Sequence, residues 1–581
     1  MYHMLLWNSI SPRKRSPSDT FLENGIGILL RNCEDAGFNV IVEDWASIDF
    51  YNHLSPEILS RINRLMYKNI INNEHRKFPV FYDKILPFMT LITQKILDTF
   101  HNVKMNKYLN KLAKEIANKK IPLLGVKVWY GDGFKWSRKL VKKVNKYSPE
   151  TITIAGGPHP TIYSEDFLQY SNFDLAVVSE GESTIIDILS VVKKYKKKSE
   201  ILSEIGKAAE KNNISNLIYR DNNSIKKTER KKLEINGKKI PEYTNKENKA
   251  KIHVIIDSLG CPYGQCNFCV HSKFYEYKSR SPELVVEEIK SMLKNGIGLF
   301  RFAGSSPPFE HILKISEIIL KEKLKIKYSM FGMARSGSKE QHIFYKLVET
   351  YQTLIKAGLR AIFFGAESGN DFINQEALNK IRSKEDLIYT IRALRKASEL
   401  VGIYVDVGIS FIYPVPTMGK INLKQIYNEN LQLASEIDAD SVLCCPPGPF
   451  PQTNWFNESA KYGFKIGKDF VPNFMEYEYV LYKPIKMWSN IDMSLDNLNG
   501  KELLEECGKM RKGFKNIGFP TEITDEHFLL LRNAGYEGKE GVKKFKKETL
   551  LDLLSCNYNF TNKIYEKVNQ VSNLIAESNF N

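Results

Sequence analysis

Three cysteines, Cys261, Cys266 and Cys269, stand close together in the run Ser258-Leu259-Gly260-Cys261-Pro262-Tyr263-Gly264-Gln265-Cys266-Asn267-Phe268-Cys269. Thiolates are soft ligands, and three at this spacing can converge on one centre, either zinc or an iron-sulfur cluster. The two readings differ in ligand count. Structural zinc takes four closed ligands, and His271 is the only nearby candidate for the fourth. A 4Fe-4S cluster on three cysteines instead leaves one iron open for a substrate or cofactor. The apolar stretch Val254 to Ile256 runs straight into the cysteines, and Pro262 and Gly264 bend the chain between them, which predicts a strand and then a tight loop.

The run resembles the cluster-binding loop of the radical S-adenosylmethionine (SAM) superfamily, which comes after the first strand of a partial TIM barrel and ends in Cys-x-aromatic-Cys. Phe268 fills the aromatic position, and four residues, Pro262 to Gln265, separate the first two cysteines where the commonest family spacing has three.

The elements around the loop must place it. After the cysteines, helix patterns alternate with apolar strand candidates at Leu299 to Ala303, Lys325 to Phe331, Ala361 to Gly365, Tyr404 to Phe411 and Ser441 to Cys445. With the strand ahead of the loop these make six, the rhythm of an incomplete barrel whose site lies at the strands' carboxyl ends. By the resemblance, Gly304-Ser305-Ser306 occupies the segment that holds the SAM amino group through backbone oxygens, without the family's acidic residue. Arg335 is a candidate for the methionine carboxylate, because its planar fork matches carboxylate geometry. Glu367, in Gly365-Ala366-Glu367-Ser368-Gly369, is a candidate for ribose hydroxyls or the amino group, and the strand carrying Ser410 would flank the adenine. Rim salt bridges are the competing reading for Arg335 and Glu367. Cys444 and Cys445 end the sixth strand, and Cys33, Cys507 and Cys556 read as buried thiols.

Ahead of the barrel a second strand-helix alternation begins at His3 to Ser9. It passes through Phe38 to Val42 and a helical insertion at about 56–119, and resumes at Leu123 to Trp129, Thr151 to Ala155 and Ala176 to Val178. Such alternation implies a parallel sheet with ligands beyond its carboxyl ends. The loops there read Trp129-Tyr130-Gly131-Asp132, Gly156-Gly157-Pro158-His159-Pro160 and Ser179-Glu180-Gly181-Glu182. In this order they resemble the cobalamin-binding domain at the amino end of many radical SAM proteins, which implies contacts from Trp129, Gly156, Gly157, Pro158, Glu180 and Gly181. The loop after the first strand, Ser9 to Lys14, has no histidine, so no cobalt ligand is expected from it; His159 is the only histidine in a matching loop.

The expected organisation is α/β: a Rossmann-like cobalamin-binding domain at 1–190, a linker at 191–250 with a hairpin turning on Asn222-Asn223, a radical SAM core at 251–456 and a mostly helical carboxyl-terminal domain at 457–581. The chain has 581 residues, eight cysteines and a net charge of +17. Its lysines are interleaved with asparagine and glutamate, the pattern of a solvated surface, so a nucleic-acid partner is not expected. Few cysteines in a long chain, three of them clustered, suit a reducing cytoplasm. Met1 to Ile10 shows no export leader, and no run is apolar enough to span a membrane. The resemblance implies a radical enzyme that uses a 4Fe-4S cluster, SAM and cobalamin, with flavodoxin or ferredoxin as electron donor, and that methylates an unactivated carbon of a peptide or small molecule. Rearrangement or cyclisation without methyl transfer, a sensor without turnover and a zinc-stabilised nucleic-acid-binding protein are the alternatives.

Overall fold

The computed structural model describes residues 2–14, 16–72, 80–222, 224–231, 234–244, 249–305, 307–380, 382–477 and 484–580. Asn223 and Ser306 lie outside them. The chain divides into two compact units: residues 1–249 with 471–489 and 548–562, and residues 250–470 with 490–547 and 563–581.

The first unit is built on a seven-stranded sheet. Its strands are β1 (Met4–Asn8), β2 (Val40–Glu43), β3 (Leu123–Lys127), β4 (Ile152–Gly156), β5 (Leu175–Val177), β6 (Leu217–Asp221) and β7 (Ser224–Lys227), in the order β2-β1-β3-β4-β5-β6-β7. The first five pair in parallel. Met4, Leu6, Leu123, Ile152 and Ile154 are fully buried beneath the helices Asn24–Asp35 and Glu182–Val192, as a parallel sheet covered on both faces requires. The order 2-1-3-4-5 has its switch point between β1 and β3, where the connections leave in opposite directions and open a crevice at the carboxyl ends.

The stretch read as a linker is part of this sheet. The helix Lys198–Glu210 covers it, and β6 and β7 extend it antiparallel from β5. Sequence shows the hairpin but not its partner, because antiparallel pairing at a sheet edge leaves no periodic signature of its own. The helical insertion comprises Ile48–Leu54, Glu57–Asn72 and the long helix Leu86–Asn118.

The second unit carries six parallel strands in sequential order: β8 (Ile252–Ile255), β11 (Leu299–Phe302), β12 (Lys327–Gly332), β13 (Leu359–Glu367), β14 (Asp406–Ile412) and β15 (Ser441–Cys445). Between β8 and β11 lies a two-stranded antiparallel ribbon of β9 (Ser258–Leu259) and β10 (Lys278–Ser279), which closes the base of the cysteine loop. Apolar side chains such as Leu299, Phe300, Ile362 and Val407 are fully buried between sheet and helices.

Residues 457–581 form no unit of their own. Within the second unit the helix Asp525–Asn533 packs on β12, β13 and β14; Thr524 is its N-cap residue, and the chain leaves through Gly535 at φ +88°. Its buried Asp525 accepts from Arg301 and Ser329, and Arg532 clamps Asp406 with two bonds of 2.7 and 2.9 Å. A small sheet of β16 (Phe464–Ile466), β17 (Met493–Leu495) and β18 (Leu498–Asn499) interrupts the helices.

Candidate active site

The cysteine loop is pinned from both sides. Gly260 takes φ +68°, where a Cβ would meet the Tyr275 carbonyl at 2.5 Å, so only glycine lets the chain turn there. Asn267 donates from its backbone to Leu378 O and from its side chain to Ala377 O, and Tyr263 OH donates to Asn379 O at 2.8 Å. Phe268 packs against the fully buried Trp455, which itself donates to Ala377 O at 3.0 Å. The loop is thereby fixed to the segment after β13 and to the chain beyond β15.

Cys261, Cys266 and Cys269 are in no disulfide, are partly exposed, and all line one cavity of about 470 Å³ at the carboxyl ends of the strands. Phe268, Ser305, Glu367, Ser410 and Cys445 share its wall. Among the described residues no three His, Cys, Asp or Glu side chains converge as ligands of a single ion would. Three thiols of one loop lining one cavity are a ligand set that an iron-sulfur cluster takes. Burial pushes the Cys266 thiol up to about 12, and the Lys380 ammonium pulls it back down. Any metal taken up here must displace that proton. His271, the candidate fourth zinc ligand, also lines the cavity.

Glu367 sits where β13 breaks register with β14, between Gly365 and Glu367, at a positive φ of 62° that a side-chain-bearing residue adopts at a cost. Two contacts hold it there: Ser410 Oγ donates to Oε2 at 3.4 Å, and Lys380 Nζ lies 3.5 Å from Oε1 while donating to Gly365 O. Lys380 therefore joins the carboxylate to the cysteine wall, and no sequence motif marks it.

Arg335 stands elsewhere. It is half exposed beside Glu310 at 3.8 Å, and its backbone N–H donates to Thr390; Ala334 lines the cavity but Arg335 does not. The arginine that lines the cavity is Arg382, whose buried Nε has no hydrogen-bond partner among the described residues.

Gly304 carries no side chain because there is no room for one: a Cβ would lie 2.3 Å from Ser258 Oγ and 2.5 Å from Asp257 Oδ2. Its N–H donates to Asp257 Oδ1 at 2.8 Å, tying the loop after β11 to the end of β8. Asp257 is wholly buried, and burial raises its carboxyl to about 6. Sequence reasoning misses this residue; the one signal it offers is a lone acid ending an apolar strand.

In the first unit, Trp129 donates to Ser9 Oγ and to Asn8 Oδ1, with the Lys127 ammonium 4.3 Å from its ring centre, so the loops after β1 and β3 are joined at the switch point. Gly156 faces open space, and Gly157 takes φ +95°. Gly131, Gly157 and Gly181 each immediately precede a helix, so first-turn N–H groups gather at the carboxyl end of the sheet with Pro158 and Glu180. Ser179 Oγ is buried with no partner among the described residues, and burial raises the Glu180 carboxyl. An uncrowded glycine and an orphaned hydroxyl suit a large polar ligand.

His159 is turned away from such a role. Its ring is buried among Tyr130, Phe134, Tyr163 and Phe167, both nitrogens lack partners among the described residues, and desolvation lowers it to about 3. Arg13, in the loop after β1, reaches Gln94 and Asp98 of the long helix instead of the crevice.

Comparison with known proteins gives the same division. Residues 255–415 match the radical SAM superfamily and residues 94–189 the B12 binding domain. The 4′-phospho-dehydrooxetanocin synthase of Priestia megaterium is 24% identical over 356 residues, 57% of this chain and 45% of that protein. The anaerobic magnesium-protoporphyrin IX monomethyl ester cyclase of Rubrivivax gelatinosus is 22% identical over 404 residues, 66% of this chain and 63% of that one. The chain thus spans less than two thirds of the curated relatives it matches. Among solved structures, the radical SAM methyltransferase TsrM from Kitasatospora setae, with cobalamin and a 4Fe-4S cluster bound, has a TM-score of 0.59 at 12% identity, covering 95% of this chain and all of that one. With a cysteine-lined cavity on six parallel strands in the second unit and a parallel sheet in the first, the chain carries a radical SAM domain at 255–415 and a B12 binding domain at 94–189, with a 4Fe-4S cluster, SAM and cobalamin as the cofactors these domains take.

Proposed function

We propose that the protein methylates an unactivated carbon of a peptide or small molecule. The observation that carries this reading is the sharing of one cavity wall by three cysteines outside any disulfide, the Glu367–Ser410–Lys380 group and Arg382, whose Nε lacks a partner among the described residues. When bound, a 4Fe-4S cluster with SAM would supply a 5′-deoxyadenosyl radical, and cobalamin would supply the methyl group.

The chain's own part is to place and shield. Cys261, Cys266 and Cys269 hold the cluster, with Lys380 favouring the Cys266 thiolate. Gly304 and Ser305 border the SAM amino group, Glu367 accepts hydrogen bonds from it or from the ribose, and Ser410 holds Glu367 in place. Arg382 takes the methionine carboxylate that sequence assigned to Arg335, because a planar fork with a free N–H matches it. Phe268, Phe331, Phe363 and Trp455 keep the wall apolar, which excludes water from the radical. Trp129, Gly156, Gly157, Pro158, Glu180 and Gly181 border the cobalamin. Thiolate ligands and a low-potential electron, delivered by a flavodoxin or ferredoxin, suit the cytoplasm.

Methylation is supported by the fold match along the whole length of a protein named a methyltransferase, while the curated relatives named synthase and cyclase, higher in sequence identity but matched over parts, support rearrangement or cyclisation as the second reading. The test is anaerobic incubation of reconstituted protein with SAM, substrate and a strong reductant. Both 5′-deoxyadenosine and S-adenosylhomocysteine should form, and replacing all three cysteines with alanine should remove the iron and the deoxyadenosine together. Deoxyadenosine alone would instead support rearrangement, and neither product a sensor.

A further inference from the structure

The helix Leu86–Asn118 is apolar on two opposite sides. Leu97, Met105, Leu109 and Ile116 face inward and are fully buried. Ile85 in the preceding turn and Phe88, Ile92, Ile96, Phe100 and Val103 succeed one another at three or four residues, which on a helix of 3.6 residues per turn keeps them in one stripe on the other side. They are 42% to 62% exposed. The adjoining helix Glu57–Asn72 repeats the arrangement with Ile58, Ile62 and Leu65 exposed at 49% or more. Large apolar side chains left exposed in a row along two neighbouring helices mark an interaction site.

Charge and hydrogen bonding decide what covers it. From Lys84 to Lys114 the sequence has six lysines against a single acid, Asp98, and Asp98 is paired with Arg13 at 2.8 Å. Lys84, Lys95 and Lys107 are exposed. A second copy of the chain would bring the same lysines against its own. A protein partner ordinarily makes about one hydrogen bond per 100–200 Å² of interface, and among the described residues the hydroxyl along the stripe, on Thr99, has its proton donated to Lys95 O at 2.9 Å, which leaves polar contacts mainly to the flanking lysines. A lipid surface asks for no such bonds: it takes an apolar stripe into the acyl boundary and pairs its rim of lysines with anionic head groups.

We propose that this two-helix face docks the protein on an anionic membrane surface, lying in the interface without crossing it. No described helix is long and apolar enough to cross. The proposal is independent of the reaction. It is tested by flotation of the full-length protein with vesicles of phosphatidylcholine, with and without phosphatidylglycerol. Binding should be roughly tenfold stronger with phosphatidylglycerol, should weaken with added salt, and should fall about tenfold in Phe88→Ser/Ile92→Ser/Phe100→Ser. Those side chains are exposed, so the variant should keep the wild-type circular dichroism and cobalamin binding. Lys84→Gln/Lys95→Gln/Lys107→Gln should lose the preference for anionic lipid. Equal binding to both vesicles would overturn the proposal. So would absence from the floated fraction, whether the protein is then a monomer or a dimer that the serine variant splits by light scattering.

Discussion

Replacing Asp257 with asparagine should remove most of the pH dependence of the strands that carry the cysteine loop. Asp257 is completely buried, and burial raises its carboxyl from 3.8 to about 6 against the opposing pull of the Gly304 N–H and Ser258. The folded protein therefore holds this proton more tightly than the unfolded chain does. The associated stability is fully present below about pH 4 and is lost as pH rises through about 6. At about 1.4 kcal/mol per tenfold change in proton affinity, the loss amounts to ~3 kcal/mol. Asparagine keeps an oxygen for Gly304 N and an amide for Ser258 Oγ while carrying no charge. Two units make a single unfolding transition a poor measure, so the readout is hydrogen exchange of peptides spanning Ile252–Ile255 and Leu299–Phe302. The variant should be more protected than wild type at about pH 8, by up to ~3 kcal/mol, by about half of that near pH 5, and little different below about pH 4. A difference that stays constant across this range, or wild-type protection that grows with pH, would refute the reasoning.

Three further outcomes are expected. Trp455→Ala should cost about 3–5 kcal/mol and lower iron retention after reconstitution, because Phe268 loses the ring that holds the cysteine loop; unchanged iron content would separate Trp455 from the site. Arg532→Ala should cost about 3–5 kcal/mol, read as lost hydrogen-exchange protection of peptides spanning Asp406–Ile412, by leaving the buried Asp406 unclamped, and a loss below about 1 kcal/mol would make the pair a surface bridge in effect. His159→Phe should stabilise the first unit by about 1–3 kcal/mol, since two unpartnered ring nitrogens leave an aromatic cluster, with cobalamin binding unchanged; lost binding would return His159 to the cofactor.

Sequence by itself determined the chemistry-bearing loop and the two alternating patterns. Cys261, Cys266, Phe268 and Cys269 are legible because ligands on one tight loop must be close in sequence, and β8 and β11 to β15 are legible because buried parallel strands are continuous apolar runs between amphipathic helices, whereas the short antiparallel ribbon of β9 and β10 is not. Only the tertiary structure decided what long-range approach controls. Lys380 and Arg382 reach the cavity from the far end of the β13 loop, and Arg335, one residue past a lining alanine, does not. The segment read as a linker joined the first sheet because an edge was free to pair, a fact about β5 and not about residues 191–250. The helix Leu86–Asn118 looks like an ordinary insertion in sequence; which of its two apolar sides is covered depends on the elements that fold against it.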